Sequence, residues 1–488
     1  HIGHAYTTIA CDIFARFSKL SQKDVFFLSG TDEHGQKVEK AAKEAHIDPK
    51  KFVDNLSLNF EKLVNDLGCE INDFIRTTEI RHRNAAQSLW IKLKENNQIY
   101  LSNYEGWYSI RDEAFYQESE LKKIDDKYFT VNDSPVEWVK EQSYFFKLSD
   151  WQNKLINFYE NNPDKISPKS RYNEVLSFIK SGLKDLSISR NTFKWGVPVP
   201  KDANHVMYVW IDALCNYLTA IDYPNIKSDK FKKYWPAIHI VGKDILRFHA
   251  VYWPAFLMAA DLEPPKKIFA HGWWTNEGKK ISKSLGNVID PYEIINEYGL
   301  DQIRYFLFSE VPFGNDGDFS KKAISKRVNA DLSNNYGNLV QRILTFIVKN
   351  CNSKIKPSNN FNDSDKNILN SLTVKHENYL NFMNNHQIDR AIKSVMEILS
   401  LTNAYVDDQA PWSLLKTDSK RMEIVLYVIV NVIVKSTIML SPIIPSSSEK
   451  VLSFFNINFN NINLLEFKEL IKEEININSP IPIFPRIN

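Results

Sequence analysis

Along the chain, apolar and polar positions alternate in several distinct rhythms. Near the start, Ile9, Ile13, Phe14, Phe17 and Leu20 recur at helical spacing and predict an amphipathic helix opening on His1-Ile2-Gly3-His4. Residues 25–28 form a short continuous apolar run between Asp24 and Ser29-Gly30, the form of a buried parallel strand. That run ends in Thr31-Asp32-Glu33-His34-Gly35, a polar loop where open α/β sheets hold ligands. Helical periodicity returns over 79–100 through Arg81, His82, Ala86, Leu89, Trp90 and Leu93. Residues 101–195 then alternate in short aromatic and charged runs, such as 104–108 and 143–148, and predict a β-rich module inserted between two halves of a sheet domain.

Sheet-like patterning resumes at 206–217, a strand running into a helix, and at 239–244, a strand ending in Gly242-Lys243-Asp244. The helix that follows carries Phe248, His249, Trp253 and Pro254, and 267–271 is one more apolar run. Gly278-Lys279-Lys280-Ile281-Ser282-Lys283-Ser284-Leu285-Gly286-Asn287 comes next, a basic loop, and Asp290-Pro291 predicts a helix N-cap with proline at the first helical position. After Ser320 the pattern is helical to the end. The longest apolar run, 424–434, is broken by Asn431 and closed by Lys435. It is short of the roughly 18 residues that span a bilayer, so it predicts a buried bundle helix.

Composition narrows this picture in three ways. A chain of 488 residues has room for about three domains. Its net charge of +2 excludes a uniformly basic nucleic-acid binder, yet residues 321–356 hold eight Lys or Arg against Asp331, a local patch suited to a polyanion. The four cysteines are far apart without a Cys-x-x-Cys pair, which excludes a structural zinc knuckle or a disulfide framework. The first residue is histidine, so the natural N-terminus is expected upstream, together with a strand preceding His1.

Candidate chemistry follows from residue types. His1 and His4 stand three apart at a helix start, where both can face an anion beyond the N-terminus. Taken alone, two surface histidines at a frayed end are an equal reading. Lysines bracketed by glycines can reach phosphate oxygens, although a Lys/Ser cluster alone is more often a solvated turn. Trp210, Tyr217, Phe248, His249 and Trp253 follow strand ends on the side of Asp32, which suggests a dry aromatic pocket bordered by a carboxylate. Asn338 and Arg342 share a helix face able to bond a base edge. Trp412, beside Pro411 at a helix start, is either a core anchor or a platform for an unpaired base.

His1-Ile2-Gly3-His4 resembles the HIGH motif, and Lys280-Ile281-Ser282-Lys283-Ser284 the KMSKS motif, of class I aminoacyl-tRNA synthetases. Residues 31–35, 208–213, 241–244, Phe248-His249 with Trp253-Pro254, and 407–412 are similar to blocks of the methionyl-tRNA synthetase family over nearly the whole chain. The resemblance implies an α/β fold: a Rossmann-type parallel-sheet catalytic domain (1–100 and 196–270) split by a β-rich connective insertion (101–195). A KMSKS and stem-contact region (271–330) and an α-helical anticodon-binding bundle (331–488) would follow. It implies activation of L-methionine with ATP and Mg2+ to methionyl-adenylate, then transfer to methionine tRNAs, initiator and elongator.

Carried over by position, Asp32 would hold the methionine α-amino group. Trp210, Ala213, Tyr217, Phe248, His249 and Trp253 would form the thioether pocket, with Tyr217 and His249 nearest the sulfur. His1, His4, Gly242, Asp244, Lys280 and Lys283 would bind ATP, and His1, His4, Lys280, Lys283 and Arg190 would serve catalysis. Asn338, Arg342 and Trp412 match anticodon-reading positions. The insertion lacks the zinc-knuckle cysteines of many relatives, so a zinc-free form is implied. Leu214 stands where some relatives have proline, and Ile281 replaces the motif's methionine. The chain stops soon after the helical domain, and a monomer is expected, cytoplasmic or, with the N-terminus unseen, in an organellar matrix. No membrane is implied. The rival readings are a synthetase for another amino acid, a catalytically dead tRNA-binding module and a nucleotidylyltransferase.

Overall fold

The apolar run at 25–28 becomes a strand only at its far end. Leu28–Thr31 pairs in parallel with Asp73–Arg76, while Phe27 is bridged by Asn72, whose side-chain oxygen accepts the Phe27 N–H at 2.8 Å. Gly30 is required in this pair, because a Cβ there would lie 2.0 Å from the Ile75 carbonyl oxygen. The computed structural model describes residues 2–464 and 469–488. It divides into one unit of Phe26–Ala270 and another of His1–Val25 with His271–Asn488.

Within the unit Phe26–Ala270, a second set of strands runs in the order Ile238–Gly242, Lys267–His271, Ile166–Ser167, the last two parallel. The helices Ile80–Glu95, Val209–Thr219 and Trp253–Ala259 contribute Leu89, Trp90, Leu214, Leu218, Trp253 and Phe256 to its core. Residues 99–146 are rich in strands and supply three of the four in an antiparallel sheet built on the long pair Ile99–Ser109 and Glu137–Phe146, the fourth being Leu186–Ser187. The span predicted as β-rich to residue 195 is not so throughout. Gln152–Asn161 and Lys169–Lys180 are helices. Their buried residues, Leu155 with Tyr159 and Tyr172 with Val175 and Ile179, keep a helical period that the aromatic composition obscured. The strand Asp202–Met207 also departs from expectation: it pairs antiparallel with Ser189–Arg190 and Pro198–Val199 before entering the helix Val209–Thr219.

In the other unit, the N-terminal helix Ile2–Leu20 packs Tyr6 against Phe308 at 4.8 Å, and its Asp12 receives a 2.6 Å ion pair from the fully buried Arg304. Successive helices Asp363–Asn384, Ile388–Gln409 and Ser419–Leu440 form a bundle. Ser419–Leu440, the only described helix long and apolar enough to cross a membrane, is mostly buried within that bundle. It extends well past the run 424–434, and Asn431 is tolerated inside it because its Oδ1 accepts the Ile471 N–H at 2.9 Å. Helical structure does not continue to the end. After Pro445–Phe454 the described chain is largely irregular, with Ile475–Asn476 pairing back to Lys354–Ile355.

Candidate active site

The aromatic cluster is built on two elements of the unit Phe26–Ala270. The helix Val209–Thr219 presents Trp210, Ala213 and Tyr217, and the strand Ile238–Gly242 delivers the chain through Lys243–Ile245 into a π-helical turn, Phe248–Tyr252. π-turns shift the side-chain register and are frequent at functional sites. Here the turn stacks Phe248 on Trp210, ring centroids 4.0 Å apart and 10° from parallel. His249 meets Trp210 edge-on at 6.0 Å. Trp253 is fully buried and donates from its indole N–H to His239 Nε2 at 3.1 Å.

One hydrogen-bond chain fixes proton positions in this cluster. His249 Nδ1 lies 3.0 Å from the Ile245 carbonyl oxygen, which can only accept, so Nδ1 carries the hydrogen. The other nitrogen, Nε2, therefore accepts from the Tyr217 hydroxyl at 2.7 Å. Burial pushes the His249 pKa down to about 4 and His239 well below its ordinary value, so both imidazoles are neutral near pH 7. The result is a neutral, aromatic, polarisable cluster of side chains.

Beside it lies a cluster of charges that the sequence reading left without roles. Asp212, 1 % exposed, accepts from His34 Nδ1 at 2.7 Å and from His82 Nε2 at 2.6 Å. Burial would raise this carboxyl, but the two histidines overcome burial and hold it at about 2. For His34, burial works against protonation, and Asp212 outweighs it, so its pKa is raised. Glu33 is held by Arg76 at 3.0 Å, Thr31 at 2.7 Å and Thr78 at 2.6 Å. Asp32 itself reaches accessible surface, yet the crowding protein around it and the negative Asp212 push its carboxyl up to about 6. A trace of this network was present in the sequence. His82 interrupts the buried face of a helix otherwise lined by Ala86, Leu89, Trp90 and Leu93, and a polar residue there needs a buried partner.

Gly242 closes its strand and Asp244 is exposed at the 3₁₀ turn that follows. Arg190 is 2 % exposed and committed to an ion pair with Glu141, its guanidinium 4.4 Å above the Tyr108 ring, while one of its terminal nitrogens has no protein partner.

In the other unit His4, Lys280 and Lys283 are exposed. His1 lies outside the described residues. His4 is in the first turn of Ile2–Leu20, a turn tied down by Thr8, whose hydroxyl donates to the His4 carbonyl at 2.8 Å. The basic loop is more ordered than predicted: Trp274–Asn276 and Lys279–Lys280 form an antiparallel pair joined through Glu277 and Gly278, both at positive φ. That is the hairpin geometry favoured by strand twist, and it accounts for the glycine. Asn287 then closes the following turn, accepting the Ser282 N–H at 2.9 Å and donating to the Lys280 carbonyl at 2.9 Å. Lys280 and Lys283 project from this frame into solvent. Asp290 caps the helix Pro291–Tyr298 through the Tyr292 N–H, as the sequence predicted.

In the helical bundle Asn338 opens the helix Asn338–Asn350 and is exposed. The Arg342 guanidinium lies 5.6 Å over the Trp412 ring, and its Nη1 is 3.7 Å from Asp407. Trp412 is 41 % exposed, so it is not a core anchor.

Residues 1–344 match the family described as tRNA synthetases class I (M), so the chain belongs to the class I tRNA synthetases. Residues 356–475 match the anticodon binding domain of methionyl tRNA ligase. The chain is 51% identical to the methionine–tRNA ligase of Rickettsia felis, covering all of this chain and 95% of that protein, and 48% identical to that of Brucella suis with the same coverage. A crystal structure of Mycobacterium tuberculosis methionyl-tRNA synthetase bound by methionyl-adenylate superposes with a TM-score of 0.96 at 42% identity, covering 99% of this chain and 97% of that one. Within the class, this is a member of the methionine–tRNA ligases.

Proposed function

We infer that the chain carries the chemistry of its family: it activates L-methionine with ATP to methionyl-adenylate and transfers methionine to its cognate tRNA. The observation that carries this reading to particular residues is the neutral aromatic cluster around Tyr217 and His249, on a helix tied to the Asp32 loop by the His34–Asp212 bond. Trp210, Ala213, Phe248 and Trp253 would shape a recess for an unbranched thioether. Tyr217 and His249 would stand nearest the sulfur, and Asp32 would hold the α-ammonium group. Shape alone discriminates one methylene by about 1–3 kcal/mol, so norleucine should be activated to a measurable degree.

The reaction needs no protein nucleophile, because the methionine carboxylate attacks the α-phosphorus of ATP and pyrophosphate leaves. Protein groups act by positioning and by stabilising charge on the phosphates. We assign His1, His4, Lys280 and Lys283 to the phosphates, with Mg2+ entering on ATP, and Gly242 and Asp244 to the nucleoside. Arg190 retains a catalytic assignment through its unpartnered terminal nitrogen. Asn338, Arg342 and Trp412 are assigned to the anticodon of initiator and elongator methionine tRNAs, the exposed Trp412 ring offering a face for an unpaired base.

The proposed boundaries remain 1–100, 101–195, 196–270, 271–330 and 331–488. We assign the enzyme no zinc, a monomeric state and a cytoplasmic location. Amino-acid-dependent ATP–pyrophosphate exchange, run with each of the twenty amino acids, tests the reading. Exchange supported by methionine above all others is the expected result, and exchange led by another amino acid, or none at all, would overturn it.

A further inference from the structure

Glu113 belongs to the connective module, yet its side chain ends under the loop that carries Asp32. The residue is held in a left-handed conformation, φ 51°, immediately before the strand Ala114–Tyr116. Non-glycine residues occupy that region at a cost and persist there only when surroundings impose it. One such constraint is the Tyr208 hydroxyl, which donates to the Glu113 carbonyl at 2.7 Å; Tyr208 is the N-cap of the helix that bears Trp210.

The carboxyl of Glu113 lies against the first turn of the helix Gln36–Glu44, close enough to Lys37 to feel its charge and its backbone N–H. That helix starts at Gly35, which has no side chain with which to cap it. A Cβ at Gly35 would come 2.5 Å from Glu113 Oε1, so the carboxyl fills the space of the missing capping side chain. Oε1 is buried and has no hydrogen-bond partner in the protein. A carboxylate with one oxygen stranded this way is unfavourable, whereas the acid form is tolerated. The charged groups facing it are Lys37 on the same helix, Asp32 on the loop and Asp212 on the helix Val209–Thr219. Burial, reinforced by the two aspartates, outweighs Lys37 and moves the Glu113 pKa up to about 8.

We infer that Glu113 is a positioning residue for methionine: from the connective module its carboxyl wedges against Gly35 at the start of the helix Gln36–Glu44, and so fixes the loop that presents Asp32. It works by shape, not by charge. The inference rests on the assignment of Asp32 to the α-ammonium group.

The test uses full-length Glu113→Ala, Glu113→Gln and Asp32→Asn, with KM for methionine and kcat in pyrophosphate exchange from about pH 6 to 9. Thermal unfolding is followed in parallel. Glu113→Ala is expected to raise KM about tenfold with kcat within about twofold, as for loss of a side chain that orders a binding loop. Glu113→Gln should recover KM to within about twofold at pH 7 and remove an ionisation near pH 8 from the KM profile. Glu113→Gln as impaired as Glu113→Ala, or a profile identical to the parent's, would overturn the inference. So would an unaltered KM in Glu113→Ala. If that variant does not fold, the Gln profile alone decides. Asp32→Asn separates the two levels: an unchanged KM there refutes the amino-group assignment, whereas a raised KM there with an unaffected Glu113→Ala refutes only the role of Glu113.

Discussion

Asp212→Asn would put the buried charge cluster to its most direct test. In the parent protein one carboxylate accepts from both His34 and His82, at 2.7 and 2.6 Å, with almost no solvent contact. The Asp212 carboxyl sits at about 2 instead of the ordinary 3.8. A displacement of nearly two pKa units corresponds to about 2 kcal/mol of folding stability. Because the folded value is depressed, that stability is present above about pH 4 and is lost as pH falls through about 2. His34 has the opposite sign: its folded pKa is raised above 6.5, so its share is complete below 6.5 and lost as pH rises through the folded value. The asparagine variant should therefore differ most from the parent between about pH 4.5 and 6.5 and less at pH 9. An amide can still accept from one imidazole, so a loss of about 2–3 kcal/mol is expected. For a unit the size of Phe26–Ala270, that is a melting-point drop of about 5 °C. Differential scanning calorimetry at pH 6 and pH 9 measures it. A deficit that is equal at both pH values, or below about 1 °C at pH 6, would show that the His34–Asp212–His82 contacts contribute no charge-dependent stability.

Three further changes probe the assigned roles. Lys283→Ala should slow methionine-dependent pyrophosphate exchange about 100-fold in kcat while methionine affinity, measured by equilibrium binding, stays within twofold; unaltered exchange would remove Lys283 from the reaction. Trp412→Ala should lower kcat/KM for tRNA aminoacylation about 10- to 100-fold, the loss of one stacked base, with exchange untouched. An equal fall in exchange would make the ring structural. Tyr217→Phe deprives the buried His249 Nε2 of its donor, at a cost of about 1–3 kcal/mol. Part of that cost should register as a raised KM for methionine. An unchanged KM with a lower melting point would confine the bond to folding.

How much of this was legible in the sequence depended on whether a signal was local. The amphipathic start at Ile2–Leu20, the Asp290 cap and the helix Val209–Thr219 are set by neighbours within a few residues, and periodicity or cap chemistry revealed them. The aromatic side chains that pack together could be singled out because they lie in two short stretches, 210–217 and 248–253, which the resemblance also names. What stayed hidden depends on pairing across the chain. Asp202–Met207 has the alternation of any strand, and only its partners, the short pieces at Ser189–Arg190 and Pro198–Val199, assign it to a small antiparallel sheet.

The same distinction explains why the carboxylates were read unevenly. Asp32 stood out because it lies in a polar loop after an apolar run, whereas Asp212 looked like one more residue in an apolar helix. Yet the two are not independent: Asp212 can remain charged only because His34, two residues from Asp32, and His82, from another helix, both donate to it. The price of that buried charge is borne by Asp32, whose carboxyl is pushed upward by the protein crowded around it and by Asp212 together. Near pH 6, then, the fraction of Asp32 able to hold an ammonium group depends on how well two histidines screen its neighbour. On the assignment of Asp32 to the α-ammonium group, His82 would act on methionine binding without touching the ligand, and His82→Gln should move the acidic limb of the KM profile for methionine to higher pH. Sequence patterns record where a side chain sits on its own helix. The charge state of Asp32 is a property of four side chains brought from three separate stretches, and it exists only once the chain has folded.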